Sequence, residues 1–340
     1  MTQWNDTLER RSDKIVDFME KRIANLEQRD HLFLSRQEFI TLFEGNRLMK
    51  NNIGKFYPAH WQAEGYGTEQ SDAFQKEIFR NMFPGYEDYV RNNSEDFDRV
   101  LDVGCGDATA AIAFFGEVWQ RLSYTGIDPS GVLPAYENLR RHGKYDERLT
   151  RIVQTDMFAF DDYHSQWNWV FCVGVLHYLD DMQRGLERLA ALLRPGGTMV
   201  LWVYRKQKPI RELTDNYLRS YFSAMSPENA RKAIEGLTNL GMSLGAIKER
   251  LHIEDIPELG IEAGEYSLHE FFYYFIMKLF YHPKLPFERH VVNNWNAFYP
   301  SPVTFVEPGR LHNMLTDLRL ECELFHEHGN GIGVIAVKCP

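Results

Sequence analysis

Cysteine is scarce in this chain: 340 residues hold four, at Cys105, Cys172, Cys322 and Cys339. No two stand at the spacing of a zinc site or a redox pair, which excludes a disulfide scaffold and leaves free thiols in a reducing compartment. Long apolar runs are missing as well. The most hydrophobic stretch, "FFYYFIMKLFY" at 271–281, is too short to span a bilayer and carries Lys278. The first residues, "MTQWNDTLERRSDK", lack the apolar core of a signal peptide, so a cytoplasmic protein without a membrane span is expected. Positive charge is in deficit, 38 Lys and Arg against 48 Asp and Glu for a net charge of -10, and the basic clusters "RKQK" and "LRRHGK" are short. That balance disfavours a nucleic-acid partner. His269, His282 and His290 have no carboxylate at ligand spacing in the same helix, so no metal is expected.

Apolar residues recur at three- and four-residue intervals in "SDKIVDFMEKRIANLEQ", which predicts helices over most of 1–97. A Gly- and Pro-broken stretch at 51–71 gathers Tyr57, His60, Trp61 and Tyr66, either a packed connector or a pocket wall. From residue 99 the pattern alternates strand and helix, "RVLDVG", "SYTGIDP", "LTRIVQTD", "NWVFCVGV" and "TMVLWVY" being short apolar runs without polar alternation. Such strands belong to a parallel sheet covered on both faces. After Tyr204 the alternation stops, and it resumes as two strands around Gly-Asn-Gly at 320–338, an antiparallel hairpin. The expected architecture is α/β, a doubly wound and mostly parallel seven-stranded sheet closed by that hairpin, with N-terminal helices and a large helical insertion. Its expected parts are 1–97, a helical cap; 98–204, the core; 205–317, an aromatic-rich lid; and 318–340, the final hairpin.

The turn after the first strand, "VLDVGCGDATAAIAFFG", poses the chemical question. A dinucleotide fingerprint wants a third glycine where this chain has Thr109. Asp102, two residues before Gly104, would repel a pyrophosphate and favour a cationic amino-acid group. Asp128 ends the next strand 22 residues after Gly106, where an acid accepts hydrogen bonds from ribose hydroxyls. Asp156 ends the third strand, where an adenine amine would lie.

Together these features resemble the class I, Rossmann-like S-adenosylmethionine-dependent methyltransferases. "NWVFCVGVLHYLDD" resembles that family's fourth strand and exit loop, and "LERLAALLRPGGTMVLWVY" its next helix, Pro-Gly-Gly turn and fifth strand. The resemblance covers about 98–204 and 318–338. It implies that Gly104, Cys105 and Gly106 line the methionine portion, that Asp102 helps hold the amino group, and that Asp128 with Pro129 meets the ribose. It further implies that Asp156, Met157 and Val173 bound the adenine, with S-adenosylhomocysteine as product. Asn168 departs from the Asp usual before the fourth strand, which puts one structural hydrogen bond in doubt, and Cys105 reads equally as a small packing residue.

Methyl transfer from a sulfonium is an in-line displacement that needs alignment and, for a hydroxyl or protonated amine, a base. His177 and Tyr178 follow the fourth strand and Tyr204 ends the fifth, at the carboxyl edge where open α/β sheets bind ligands. In the insertion, His269, Tyr273 and Met277 fall on one helical face, and His290, Asn294, Trp295 and Tyr299 gather before a proline. His269, Tyr273, Trp295 and Tyr299 are candidate acceptor contacts, with a hydrophobic core as the competing reading. The expected function is methylation of oxygen or nitrogen on a small or medium-sized acceptor, a secondary metabolite or sugar-like molecule. Peptide methylation and a cofactor-binding regulatory protein without turnover are the alternatives, and the apolar first helices leave a homodimer open.

Overall fold

The computed structural model describes residues 69–129, 132–160, 166–299 and 303–340, with the side chains of 69–72 outside the description. Tyr57, His60, Trp61 and Tyr66 lie outside the described residues. The strands are β1 (Arg99–Val103), β2 (Ser123–Ile127), β3 (Thr150–Val153), β4 (Trp167–Val173), β5 (Leu193–Tyr204), β6 (Arg250–Ile253), β7 (Gly264–Ser267), β8 (Leu320–His328) and β9 (Gly331–Lys338). Seven of them form one sheet in the order β3-β2-β1-β4-β5-β9-β8, parallel through β5 and antiparallel at β9 and β8. This is the doubly wound sheet with a closing hairpin that the strand pattern predicts.

Successive side chains of a strand face opposite ways, and here both faces are covered. Leu101, Val170 and Leu201 enter one apolar cluster, while their neighbours Val100, Trp169, Phe171, Val200 and Trp202 enter the other. The second cluster is aromatic, because α1 (Glu69–Met82) and α2 (Tyr86–Asn93) bring Phe79, Phe83 and Tyr86 onto α3 (Thr109–Phe115), where Tyr86 stacks on Phe114 at 4.9 Å. Between β2 and β3 runs α4 (Val132–Arg141), and between β4 and β5 runs α5 (Met182–Leu192), which starts where the Asp181 side chain accepts the Arg184 N–H at 3.0 Å. The hydrogen bond placed in doubt by Asn168 is made: its amide oxygen accepts Arg99 N–H at 3.0 Å, since an amide keeps one acceptor.

The insertion holds α6 (Pro209–Ser223), α7 (Pro227–Ala246), the β6–β7 hairpin, α8 (Leu268–Phe271) and α9 (Phe287–Phe298). It departs from the expected helical face of His269, Tyr273 and Met277. A π turn over Phe272–Ile276 ends it, and Met277 is extended at φ -162°, so Met277 leaves the face shared by His269 and Tyr273. Packing also crosses an expected boundary: Leu311 and Leu315 of α10 (Pro308–Asp317) join the cluster of β4, β5 and α5.

Candidate functional site

Asp102 is the last residue but one of β1, Asp128 follows β2, Asp156 follows β3 by three residues, and Tyr204 ends β5, so the parallel strands deliver these side chains to one edge. The loop after β1 turns under left-handed backbone at Gly104 (φ 73°) and Gly106 (φ 54°), a region glycine enters without a Cβ penalty. Gly104 N–H and Cys105 N–H both donate to Ile127 carbonyl, at 2.8 and 3.1 Å, and Gly106 N–H donates to Asp128 Oδ2 at 3.1 Å. The loop is therefore laid across the end of β2. A Cβ on Gly104 would stand 2.4 Å from Val175, so the exit loop of β4 is in contact with it too.

Three carboxylates surround this turn, and all are buried. Asp102 accepts the Tyr124 hydroxyl at 2.7 Å; burial lifts its carboxyl to about 7, the Tyr124 bond pulling against it and the charges of Asp128 and Asp107 adding to it. Asp107, just before α3, takes Thr109 N–H at 3.0 Å and the Thr109 hydroxyl at 2.8 Å, while burial pushes its carboxyl up against those bonds and Arg289. Cys105 is buried against Tyr124 and Gly126, its thiol pushed well up by burial, as a packing residue would be. Pro129 carbonyl accepts Gln154 Nε2 at 2.8 Å. Asp156 is exposed and folds its own loop, accepting Phe158 N–H at 2.7 Å and Ala159 N–H at 2.9 Å. Met157 is buried in the core and Val173 half-buried against the aromatic face.

At the far side of the edge, the short turn Leu176–Tyr178 places the His177 ring 4.0 Å from that of Tyr204 and 4.4 Å from that of Tyr178. His177 is 1% exposed, and burial, with the charges of Lys278 and Arg219, drives its pKa well down. It is a neutral ring near pH 7. Burial pushes the Tyr204 phenol up, but Lys278, whose Nζ donates to its hydroxyl at 3.1 Å, together with Arg219 and a bond with Tyr178, outweighs it and holds the phenol below its ordinary value. Tyr124, Lys278 and Arg219 were not among the residues expected at the site. The traces they left in sequence are Gly126, two residues from Tyr124 and on the same face, where a side chain would stand 2.8 Å from the tyrosine hydroxyl, and the lysine inside an apolar run.

The insertion residues divide. Trp295 and Tyr299 pack with Phe222, Ile234 and Phe298 in a separate core, which is the packing alternative to acceptor contact. His269 is half-buried, its Nε2 2.7 Å from Leu279 carbonyl, and Tyr273 carries the Arg211 guanidinium over its ring at 4.9 Å. Among the described residues no three His, Cys, Asp or Glu gather to hold a metal ion, and no helix is long and apolar enough to cross a membrane.

Residues 101–199 match the family model of a methyltransferase domain. An uncharacterised protein of Synechococcus sp. (strain ATCC 27144 / PCC 6301 / SAUG 1402/1) is 34% identical over 108 residues, 31% of this chain and 25% of that one. The tRNA U34 carboxymethyltransferase of Saccharophagus degradans is 29% identical over 103 residues, 30% of this chain and 31% of that one. The chain thus spans between a quarter and a third of the length of these relatives. Among solved structures, the 1,6-didemethyltoxoflavin-N1-methyltransferase of Burkholderia thailandensis aligns over 92% of this chain and 93% of its own, at 12% identity and a TM-score of 0.41, a score at which the likeness decides nothing.

Proposed function

We propose, from the premise that residues 101–199 match a methyltransferase domain, that the whole protein is a class I S-adenosylmethionine-dependent enzyme that methylates oxygen or nitrogen on a small or medium-sized acceptor. The observation that carries this is the glycine loop laid on Asp128: a turn with no Cβ at Gly104 and Gly106, ringed by Asp102, Asp107 and Asp128. Buried acids at that place oppose a pyrophosphate and suit a cationic amino acid, so these residues fit the cofactor. Bound there, S-adenosylmethionine supplies an activated methyl on a sulfonium leaving group.

Gly104, Cys105 and Gly106 would line the methionine portion, Asp102 would act on its amino group through the loop, and Asp128 with Pro129 would hold the ribose. Asp156, Met157 and Val173 would bound the adenine, Met157 from within the core. An ionised carboxylate accepts up to about four hydrogen bonds, so Asp128 serves the loop and a ribose together. For the acceptor's proton, Tyr204 is better suited than His177. A ring held neutral by burial and two nearby cations is a weak base, whereas a phenol lowered by the same cations is a stronger acid whose anion they stabilise. His177 then sets the Tyr204 ring by packing against it, and Tyr178 orients its hydroxyl.

Calorimetric titration with S-adenosylmethionine, S-adenosylhomocysteine and NAD tests the reading. Binding of the first two and none of NAD is expected, with Asp128→Ala weakening it by about 1.5–3 kcal/mol for each hydrogen bond between the ribose and the carboxylate. No binding of either adenosyl ligand overturns the proposal.

A further inference from the structure

Two cations of the insertion converge on Tyr204 without a carboxylate of their own among the described residues. Arg211 has one: Asp215 Oδ2 lies 3.3 Å from its Nε, and both are buried. Asp215 Oδ1 meanwhile takes the Lys278 backbone N–H at 2.9 Å. Lys278 Nζ donates to the Tyr204 hydroxyl at 3.1 Å, and Arg219 donates to Asn216 Oδ1 at 2.8 Å and Ala297 carbonyl at 3.1 Å, all uncharged acceptors. Among the described residues, three cations against one carboxylate leave two positive charges, on buried Arg219 and half-buried Lys278, and ionising Tyr204 would still leave one. Charge withdrawn from water without a counter-charge is unfavourable. Two deeply buried atoms of this patch, Arg219 Nε and His177 Nδ1, also have no hydrogen-bond partner among the described residues.

The rest of the surroundings is flat and aromatic. Trp202 lies 5.0 Å from Tyr204, Phe305 stacks on it at 5.8 Å, and Arg219 sits over Phe305 at 5.0 Å. The patch is joined to the glycine loop through the exit loop of β4, where Val175 touches Gly104 and His177, two residues on, packs against Tyr204.

We propose that the acceptor is a planar aromatic molecule bearing a negative charge, held by Lys278 and Arg219 beside Tyr204; the word acceptor rests on the methyl-transfer reading, the anion site on the geometry alone. An anion there completes the charge of the patch, and the aromatic side chains around it favour a flat ring.

Benzoate and benzamide, alike in shape and different in charge, are titrated at one ionic strength into the protein saturated with S-adenosylhomocysteine, with sulfate as a third probe. Benzoate is expected to bind at least about tenfold more tightly than benzamide or sulfate, a preference cut about tenfold by Lys278→Gln and untouched by Lys232→Gln on the exposed face of α7. Equal binding of benzoate and benzamide, or no binding of benzoate, overturns the charge requirement, and equal binding of sulfate overturns the aromatic one. The probe comparison on the unaltered protein decides the matter even where a variant fails to fold. S-adenosylhomocysteine is titrated separately: if it fails to bind, the cofactor reading falls, and the probes are then compared on the protein alone.

Discussion

Asp102 is a carboxyl group in conflict with its surroundings: the fold buries it among two other acids and gives it one hydroxyl donor, Tyr124. Its unfolded group titrates near 3.8 and its folded one at about 7, so between those values the native state holds a proton that the unfolded state has lost. Stability from this group is therefore present below pH 3.8 and falls as pH rises through 7. Asp102→Asn keeps an acceptor for Tyr124 and removes the titration, so relative to wild type it should gain stability, on the order of 4 kcal/mol, between pH 4 and pH 8. Urea unfolding at the two pH values measures this, and parallel pH dependence in both proteins contradicts it. The acids and glycines of the site were legible in sequence because each sits at a fixed offset from the end of a strand. Tyr124, Lys278 and Arg219 were not, because a hydroxyl hidden in an apolar strand, or a cation brought in from more than 70 residues away as Lys278 is, leaves no local spacing to read.

At the scale of elements, glycines test how tightly the layers are joined. A Cβ on Gly333 of β9 would stand 2.1 Å from the Met82 carbonyl of α1, a backbone atom that cannot rotate aside. In α7, Gly236 has nothing within 4 Å of such a Cβ and is exposed. The same substitution should therefore act in opposite directions: Gly333→Ala destabilises by about 1–3 kcal/mol through overpacking, and Gly236→Ala stabilises by up to about 1 kcal/mol through helix propensity. Denaturant midpoints for the two variants check this, and a neutral Gly333→Ala would mean that α1 does not press on the sheet. The closing hairpin was readable from Gly-Asn-Gly between apolar strands. The β6–β7 hairpin was not, since "RLHI" and "GEYS" are four-residue strands of mixed polarity. The π turn was hidden as well, because continuous aromatics at 271–275 satisfy a helical period and a broken one equally.

For the molecule as a whole, the insertion is an excursion pinned at its neck. Lys206 N–H donates to Val306 carbonyl at 3.0 Å and Val306 N–H to Tyr204 carbonyl at 3.1 Å, so the chain leaves β5 and returns to it at one place. Between those points α6, α7 and α9 bury Phe222, Ile234, Val291, Trp295 and Phe298 in a core distinct from the two that flank the sheet. Because local opening follows such cooperative units, amides of 209–299 should exchange through an opening of lower free energy than those of β1 and β4. A ligand bound only to the folded site at a hundred times its dissociation constant adds about 2.7 kcal/mol to whatever opening releases it. S-adenosylhomocysteine at that level should thus raise the protection of β1, β2 and β4 by about that amount and leave α7 and α9 nearly unchanged. Hydrogen exchange with and without the ligand separates the two cases. Equal gains throughout would mean that Lys278 and Tyr204 tie the insertion to the sheet so firmly that both open together. Acceptor binding could not then be tuned by motion of the insertion alone.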